Sequence, residues 1–232
     1  LALENSIELN RCLMAKNYNV EEGLQHYQEV RNVEVLKIQN AARNSTEWFE
    51  NVERYADFEP EQFAYSLLTR SQRISHENLR LRDPKWLEGY ERWLAAHSGV
   101  EKQGDRPVPP MQTPFTARGV TLKNRIVVSP MAMYSCVDGV PGDFHLVHLG
   151  SRAMGGAGMV MVEMTCVSPE ARITPGCPGL WTDEQGTAFK RIVDFIHQNS
   201  DSKIGLQIGH AGRKGSTKLG WEGIDLPLDS GN

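Results

Sequence analysis

The sequence predicts two unlike parts: an all-helical one, then an α/β one built on a parallel sheet. Three observations carry this. Residues 1–110 hold 4 glycines and residues 111–232 hold 17. Apolar residues in the first part recur at three and four, the period of a helix with one buried face, whereas in the second they gather into short β-branched runs separated by helical stretches. Between them, residues 99–112, GVEKQGDRPVPPMQ, have the polar, proline-rich composition of a linker. The expected domains are 1–105 and 106–232.

In the first part, Val35, Ile38, Ala42, Ser45, Phe49 and Val52 predict one buried stripe along a long helix. A second helix is expected over 61–73, marked by Phe63, Leu67 and Ile74. The third has clear ends: Asp83 is a natural N-cap, Pro84 takes the first helical position, and Gly99 follows the last turn. Its face is Trp86, Leu87, Tyr90, Trp93 and Leu94, a spacing that reads as packing. This part contains no glycine-rich phosphate loop and no tight cluster of catalytic residue types.

In the second part, a small β-element over 115–122 precedes a strand at 126–129. A helix is expected over 143–154, with Asp143 able to cap it, then a strand at 158–163. The next helix opens on Thr182-Asp183-Glu184-Gln185, a capping box, and runs through Phe189, Ile192, Val193 and Ile196. A strand at 204–208 ends the series. This β-α-β-α-β order with near-continuous apolar strands predicts a parallel sheet flanked by helices. No G-x-G-x-x-G joins a strand to its helix, which weighs against a dinucleotide-binding fold. Gly155, Gly156 and Gly158 precede a strand and read as a helix-to-strand turn.

Composition narrows the partners. With 40% hydrophobic and 23% charged residues and a net charge of −4, the chain lacks the basic excess that tracks a phosphate backbone, so no nucleic-acid partner is expected. No apolar run approaches the ~20 residues that span a bilayer, so no membrane partner is expected either. Cysteines at 12, 136, 166 and 177 form no C-x-x-C and no zinc spacing, which predicts reduced thiols, a cytoplasmic setting and no metal site. Cys12 and Cys136 read as packing or loop thiols. His145 and His148 lie one helical turn apart and read as helix-surface or loop-packing residues.

Parallel strands bury their bodies and present chemistry at their C-terminal tips. The tips here are Ser129-Pro130-Met131-Ala132, Glu163-Met164-Thr165 and Gln207-Ile208-Gly209-His210. The two most informative stretches, NRIVVSPMAMYSC from 124 and QIGHAGRK from 207, resemble the first and third strands of an Old Yellow Enzyme-type flavin barrel. That resemblance implies the N-terminal part of a (β/α)8 TIM barrel, FMN as cofactor and NAD(P)H as reductant. It places Ser129, Pro130, Met131, Ala132, Met164 and Gln207 along the flavin. A carboxamide both donates and accepts, so Gln207 suits the alternating pyrimidine edge of such a ring. Ala132 departs from the family, which carries cysteine or threonine there, so flavin tuning would fall to other groups. Tyr134, His210 and Arg213 are the candidates for the substrate pocket. Tyr134 reads equally as a residue packed under a loop, and no catalytic residue is assigned. Lys214, Lys218 and Trp221 follow in a glycine-rich stretch that reads as a surface loop.

The stretches LALENSIELNRCL and FAYSLLTRSQRISHENLRLRDP, with the helix over 27–49, resemble the C-terminal tail of a flavin monooxygenase. They are most similar to the segment that joins such a domain to a reductase in bifunctional aromatic acyl-CoA monooxygenases. The resemblance implies FAD in a complete enzyme, an aromatic acyl-CoA substrate and a chain that is a piece of a longer protein. A homo-oligomer is compatible with it. Two alternatives stay open: a stand-alone ene reductase with a helical extension, and a non-catalytic fragment whose helices serve docking.

Overall fold

A computed structural model describes residues 2–101, 104–215, 217–223 and 225–229. Parts of the expected linker, Lys102 and Gln103, and the last three residues of the second expected domain lie outside these. The chain divides into two compact units, Leu1–Trp93 and Leu94–Asn232.

The first unit is helical. Helix α1 (Ala2–Ala15) turns back onto α2 (Val20–Glu50) through Asn17 and Tyr18, both with left-handed φ values of 50° and 61°. Asn19 caps α2, its Oδ1 accepting from the Glu22 amide at 3.3 Å. A side chain on Gly23 would run into Leu13, so this glycine sets how closely the two helices approach. The buried stripe of α2 departs from the expected one. Val35 and Ile38 are half-buried as expected, but Ala42, Phe49 and Val52 are exposed, and Trp48 is the side chain that goes inside. Trp48 has partners that Phe49 lacks: its Nε1 donates to Ser66 Oγ at 2.9 Å and its ring stacks on Tyr55.

Helix α3 (Pro60–Thr69) stops four residues before the expected end, because Gln72 takes a left-handed φ of 58° and Ser75 opens a new helix. That helix, α4 (His76–Arg82), was not anticipated, yet it carries a reciprocal cap between Ser75 and Asn78. Asp83 closes α4 with its amide and opens α5 (Pro84–His97) with its carboxylate, which accepts from Trp86 N at 2.9 Å. The aromatic face of α5 packs as expected: Leu87 is fully buried, and Tyr90 stacks on Tyr65 and Trp86. A polar chain crosses beneath it. Tyr65 Oη lies 3.1 Å from His76 Nδ1, His76 Nε2 lies 2.9 Å from Glu91 Oε1, and Arg80 pairs with the same carboxylate at 2.6 Å.

The second unit begins with an antiparallel hairpin, β1 (Phe115–Ala117) and β2 (Val120–Leu122). Strands β3 (Val127–Val128), β4 (Met159–Cys166) and β5 (Lys203–Gly209) then form a parallel three-stranded sheet in the order β3-β4-β5. Chain-order adjacency is what an opening barrel requires. A doubly wound half also shows it, so the lack of a glycine-rich strand-to-helix turn remains the argument against that fold.

Two crossover helices, α6 (Asp143–Met154) and α7 (Asp183–Asn199), cover one face of the sheet. Leu149, Ala153, Val160, Val162, Phe189, Ile192 and Ile196 form the core between them. The α7 capping box is present as expected, Thr182 Oγ1 accepting from Gln185 N at 3.3 Å. Asp143 is not the cap of α6. Gly142 holds that position, and Asp143 pairs instead with Arg191 at 2.7 Å. Gly155 and Gly156 form the expected helix-to-strand turn, Gly156 at a φ of 102°. Among the described residues no helix is long and apolar enough to cross a membrane.

Candidate functional site

Because β3, β4 and β5 are parallel neighbours, their C-terminal tips fall along one edge of the sheet. Residues 129–132 follow β3 without regular secondary structure, with Ser129, Met131 and Ala132 exposed and Pro130 half-buried. Met164 of β4 lies directly opposite Gln207 of β5 in the strand register. Met164 is half-buried. Gln207 is exposed, and its carboxamide has no hydrogen-bond partner among the described residues. A side chain on Gly209 would meet the Met164 thioether, so β5 approaches β4 closely there. The edge therefore offers backbone and a thioether beside one free donor–acceptor group. That set matches the needs of a planar heteroaromatic ring with a polar rim.

The pocket candidates are placed differently. Tyr134 takes a left-handed φ of 51° and packs against the buried cluster of Cys166, Ala171 and Cys177. Burial first, then the nearby Cys177 and Glu163, raise its phenol above the usual value, so it stays protonated near neutrality. Of the two readings of Tyr134, packing is thus realised on at least one side of the ring. His210 is exposed and turns its Nδ1 back onto the Gly212 amide at 2.9 Å. Arg213 is exposed in a short turn, Gly212–Lys214. No hydrogen bond or ion pair among the described residues joins Tyr134, His210 and Arg213. Trp221 is 68% exposed, but in a short helical turn, Gly220–Gly223, rather than the expected loop.

A buried polar cluster lies beneath the tips, and sequence reading missed it. His145 is fully buried rather than on the helix surface, its Nε2 lying 3.0 Å from Glu163 Oε1. The second oxygen of Glu163 accepts from the Met133 amide at 2.8 Å. Cys136 Sγ lies 3.6 Å from the same imidazole nitrogen, and burial pushes this thiol up to about 12, so it is not a thiolate. His148 is only half-buried and does not join the cluster. The signal that could have found the cluster was Glu163 itself, a carboxylate inside the apolar run MVMVEMTC, which buries safely only with donors.

Residues 110–223 match the model of the NADH:flavin oxidoreductase / NADH oxidase family. An NADH:flavin oxidoreductase of Gibberella zeae is 48% identical over 113 residues, covering 49% of this chain and 27% of that protein. An NADPH dehydrogenase of Bacillus cytotoxicus is 51% identical over 104 residues, covering 44% of this chain and 30% of its own length. Among solved structures, morphinone reductase in complex with tetrahydroNAD matches 47% of this chain and 29% of that chain, at 34% identity and a TM-score of 0.44. The chain thus spans less than a third of the length of these relatives. Residues 110–223 are similar in sequence to the NADH:flavin oxidoreductase / NADH oxidase family, and a helical region precedes them.

Proposed function

We propose that residues 106–232 are the opening part of an FMN-dependent NAD(P)H oxidoreductase barrel, and that the tips of β3, β4 and β5 hold the flavin ring. The observation that carries this is the facing pair Met164 and Gln207, beside 129–132, in a segment that matches the family. Bound FMN supplies hydride chemistry between a reduced nicotinamide and an activated alkene. Pro130, Met131, Ala132 and Met164 lie along the ring and exclude water from it. Gln207 binds and orients its pyrimidine edge. Tyr134, His210 and Arg213 line the mouth, Arg213 attracting an anionic group and His210 offering its Nε2–H as a donor.

Gln207→Ala removes that edge partner. In the complete protein it should weaken FMN binding roughly five- to tenfold, the worth of one hydrogen bond of about 1 kcal/mol. Equilibrium dialysis measures this, and an unchanged affinity argues against the assignment.

We further propose that residues 1–105 are the helical tail of an FAD monooxygenase fused to the reductase, and that the complete enzyme acts on an aromatic acyl-CoA. The support is the resemblance of LALENSIELNRCL and FAYSLLTRSQRISHENLRLRDP to such a joining segment. Flavins released from the purified complete protein by acid should be FMN and FAD in equal amounts. FMN without FAD favours a stand-alone ene reductase with a helical extension, and neither flavin favours a non-catalytic role.

A further inference from the structure

The strand register slips between Val162 and Met164, so Glu163 is an extra residue in β4 with no partner on β5. Such a bulge re-aims a side chain. Val162 faces the helices as part of the core, and Met164 returns to the tip opposite Gln207. The inserted carboxylate reaches two groups on different elements: His145 in the first turn of α6, and the Met133 amide in the chain that leaves β3.

The imidazole orientation follows from its surroundings. His145 Nδ1 is buried with no partner, and an N–H there would be an unmet donor, so the proton is assigned to Nε2, where Glu163 Oε1 accepts it. Each carboxylate oxygen then takes one N–H, and the two donors come from different elements.

The chain that Glu163 holds is the one that carries the proposed flavin contacts. Met133 directly follows Pro130-Met131-Ala132 and precedes Tyr134, whose left-handed backbone is unfavourable for a bulky residue. Two further fixings meet there. The Cys136 amide donates to the Gly176 carbonyl at 3.0 Å, and the Tyr134 carbonyl rests on the bare Cα of Gly176. Within the same chain Ser135 Oγ donates to the Met133 carbonyl at 3.0 Å; among the described residues, the contact that reaches Met133 from another element is that of Glu163.

We propose that Glu163 is a positioning residue. It does not touch the flavin. Through the Met133 amide, and braced by His145, it fixes the 130–133 backbone at the height the ring requires. The inference rests on the flavin reading given above.

In the complete protein, Glu163→Ala should weaken FMN binding roughly tenfold or more and shift the visible absorption bands of the bound flavin. Glu163→Gln keeps an acceptor for the Met133 amide but offers none to the His145 Nε2–H, so it should restore the wild-type spectrum and recover part of the affinity. A role in packing alone predicts no shift in the bands of whatever flavin remains bound, and no special rescue by glutamine. Amide exchange of Met133 in the wild-type protein supplies a measurement that does not depend on either variant folding: it should be markedly slower than that of Ala132. Equal exchange at the two amides overturns the proposal, as does wild-type FMN affinity and spectrum in Glu163→Ala while Gln207→Ala still weakens binding. If neither variant changes FMN binding, the flavin reading itself falls.

Discussion

Replacing Gly176 with alanine should lower the melting temperature of the complete protein by roughly 10 °C, a loss of about 3 kcal/mol for an overpacked site in a unit of this size. A methyl group on Gly176 would overlap the carbonyl oxygen and carbon of Tyr134 and crowd Leu219. The first two are backbone atoms and cannot rotate away. The Cys136 amide is bonded to the Gly176 carbonyl, so the two segments cannot separate without losing that bond as well. Relief therefore displaces Tyr134, and with it the chain that leads back to Pro130–Ala132. FMN affinity should fall together with stability. A melting temperature within about 2 °C of wild type would show that the close approach of Tyr134 to Gly176 is not rigid.

The second large effect is expected in the helical unit. Glu91 is 3% exposed and accepts from both His76 and Arg80. Glu91→Ala leaves His76 without this acceptor and Arg80 with Glu77 alone, 3.0 Å away. Removing one member of a buried pair costs about 3–5 kcal/mol, and because the Arg80 side chain is 38% exposed and can turn to water, a loss of about 3 kcal/mol is expected.

The same carboxylate gives the unit an acid dependence. Burial pushes the Glu91 carboxyl up, but hydrogen bonds from Arg80 and His76 and the charges of those two residues outweigh it and hold it below its ordinary value of 4.5. A carboxyl lowered on folding contributes stability that is fully present above the unfolded value and lost as pH falls through the folded one. Stability of the first unit, followed by denaturant titration with a helical signal, should therefore decline below about pH 4.5, and the decline should be shallower in Glu91→Ala. Parallel wild-type and variant curves would remove Glu91 as the cause.

The parts of the molecule that were legible in sequence are those set by neighbours along the chain. The α7 cap needed only Thr182 and Gln185, three residues apart, and it is present. Asp83 and Pro84 marked the start of α5 for the same reason. The α4 helix carried an equally local signal in Ser75 and Asn78 that went unread. What failed depended on partners far along the chain. The choice of Trp48 over Phe49 rests on Ser66 and Tyr55, and over the 31 residues of α2 a small drift of the apolar face decides which of two adjacent aromatics turns inward. Asp143 had the right chemistry for a cap but lies one position inside the helix, where Arg191 takes it.

The site shows the same division. Strand tips follow from where apolar runs end, so Ser129, Met164 and Gln207 were placed at the edge before their register was known. The Glu163–His145 pair spans 18 residues, and its bond to Met133 spans 30. Both are made from a one-residue bulge that no local pattern announces.

With FMN bound, the tips of β3, β4 and β5 should face the flavin ring. A crystal structure of the complete protein with FMN bound measures this directly. The pyrimidine edge of the ring should lie within hydrogen-bond distance of the Gln207 carboxamide, about 3 Å, and ring atoms within about 4 Å of Ala132 and Met164. A ring seated elsewhere, with Gln207 still facing solvent, would contradict it.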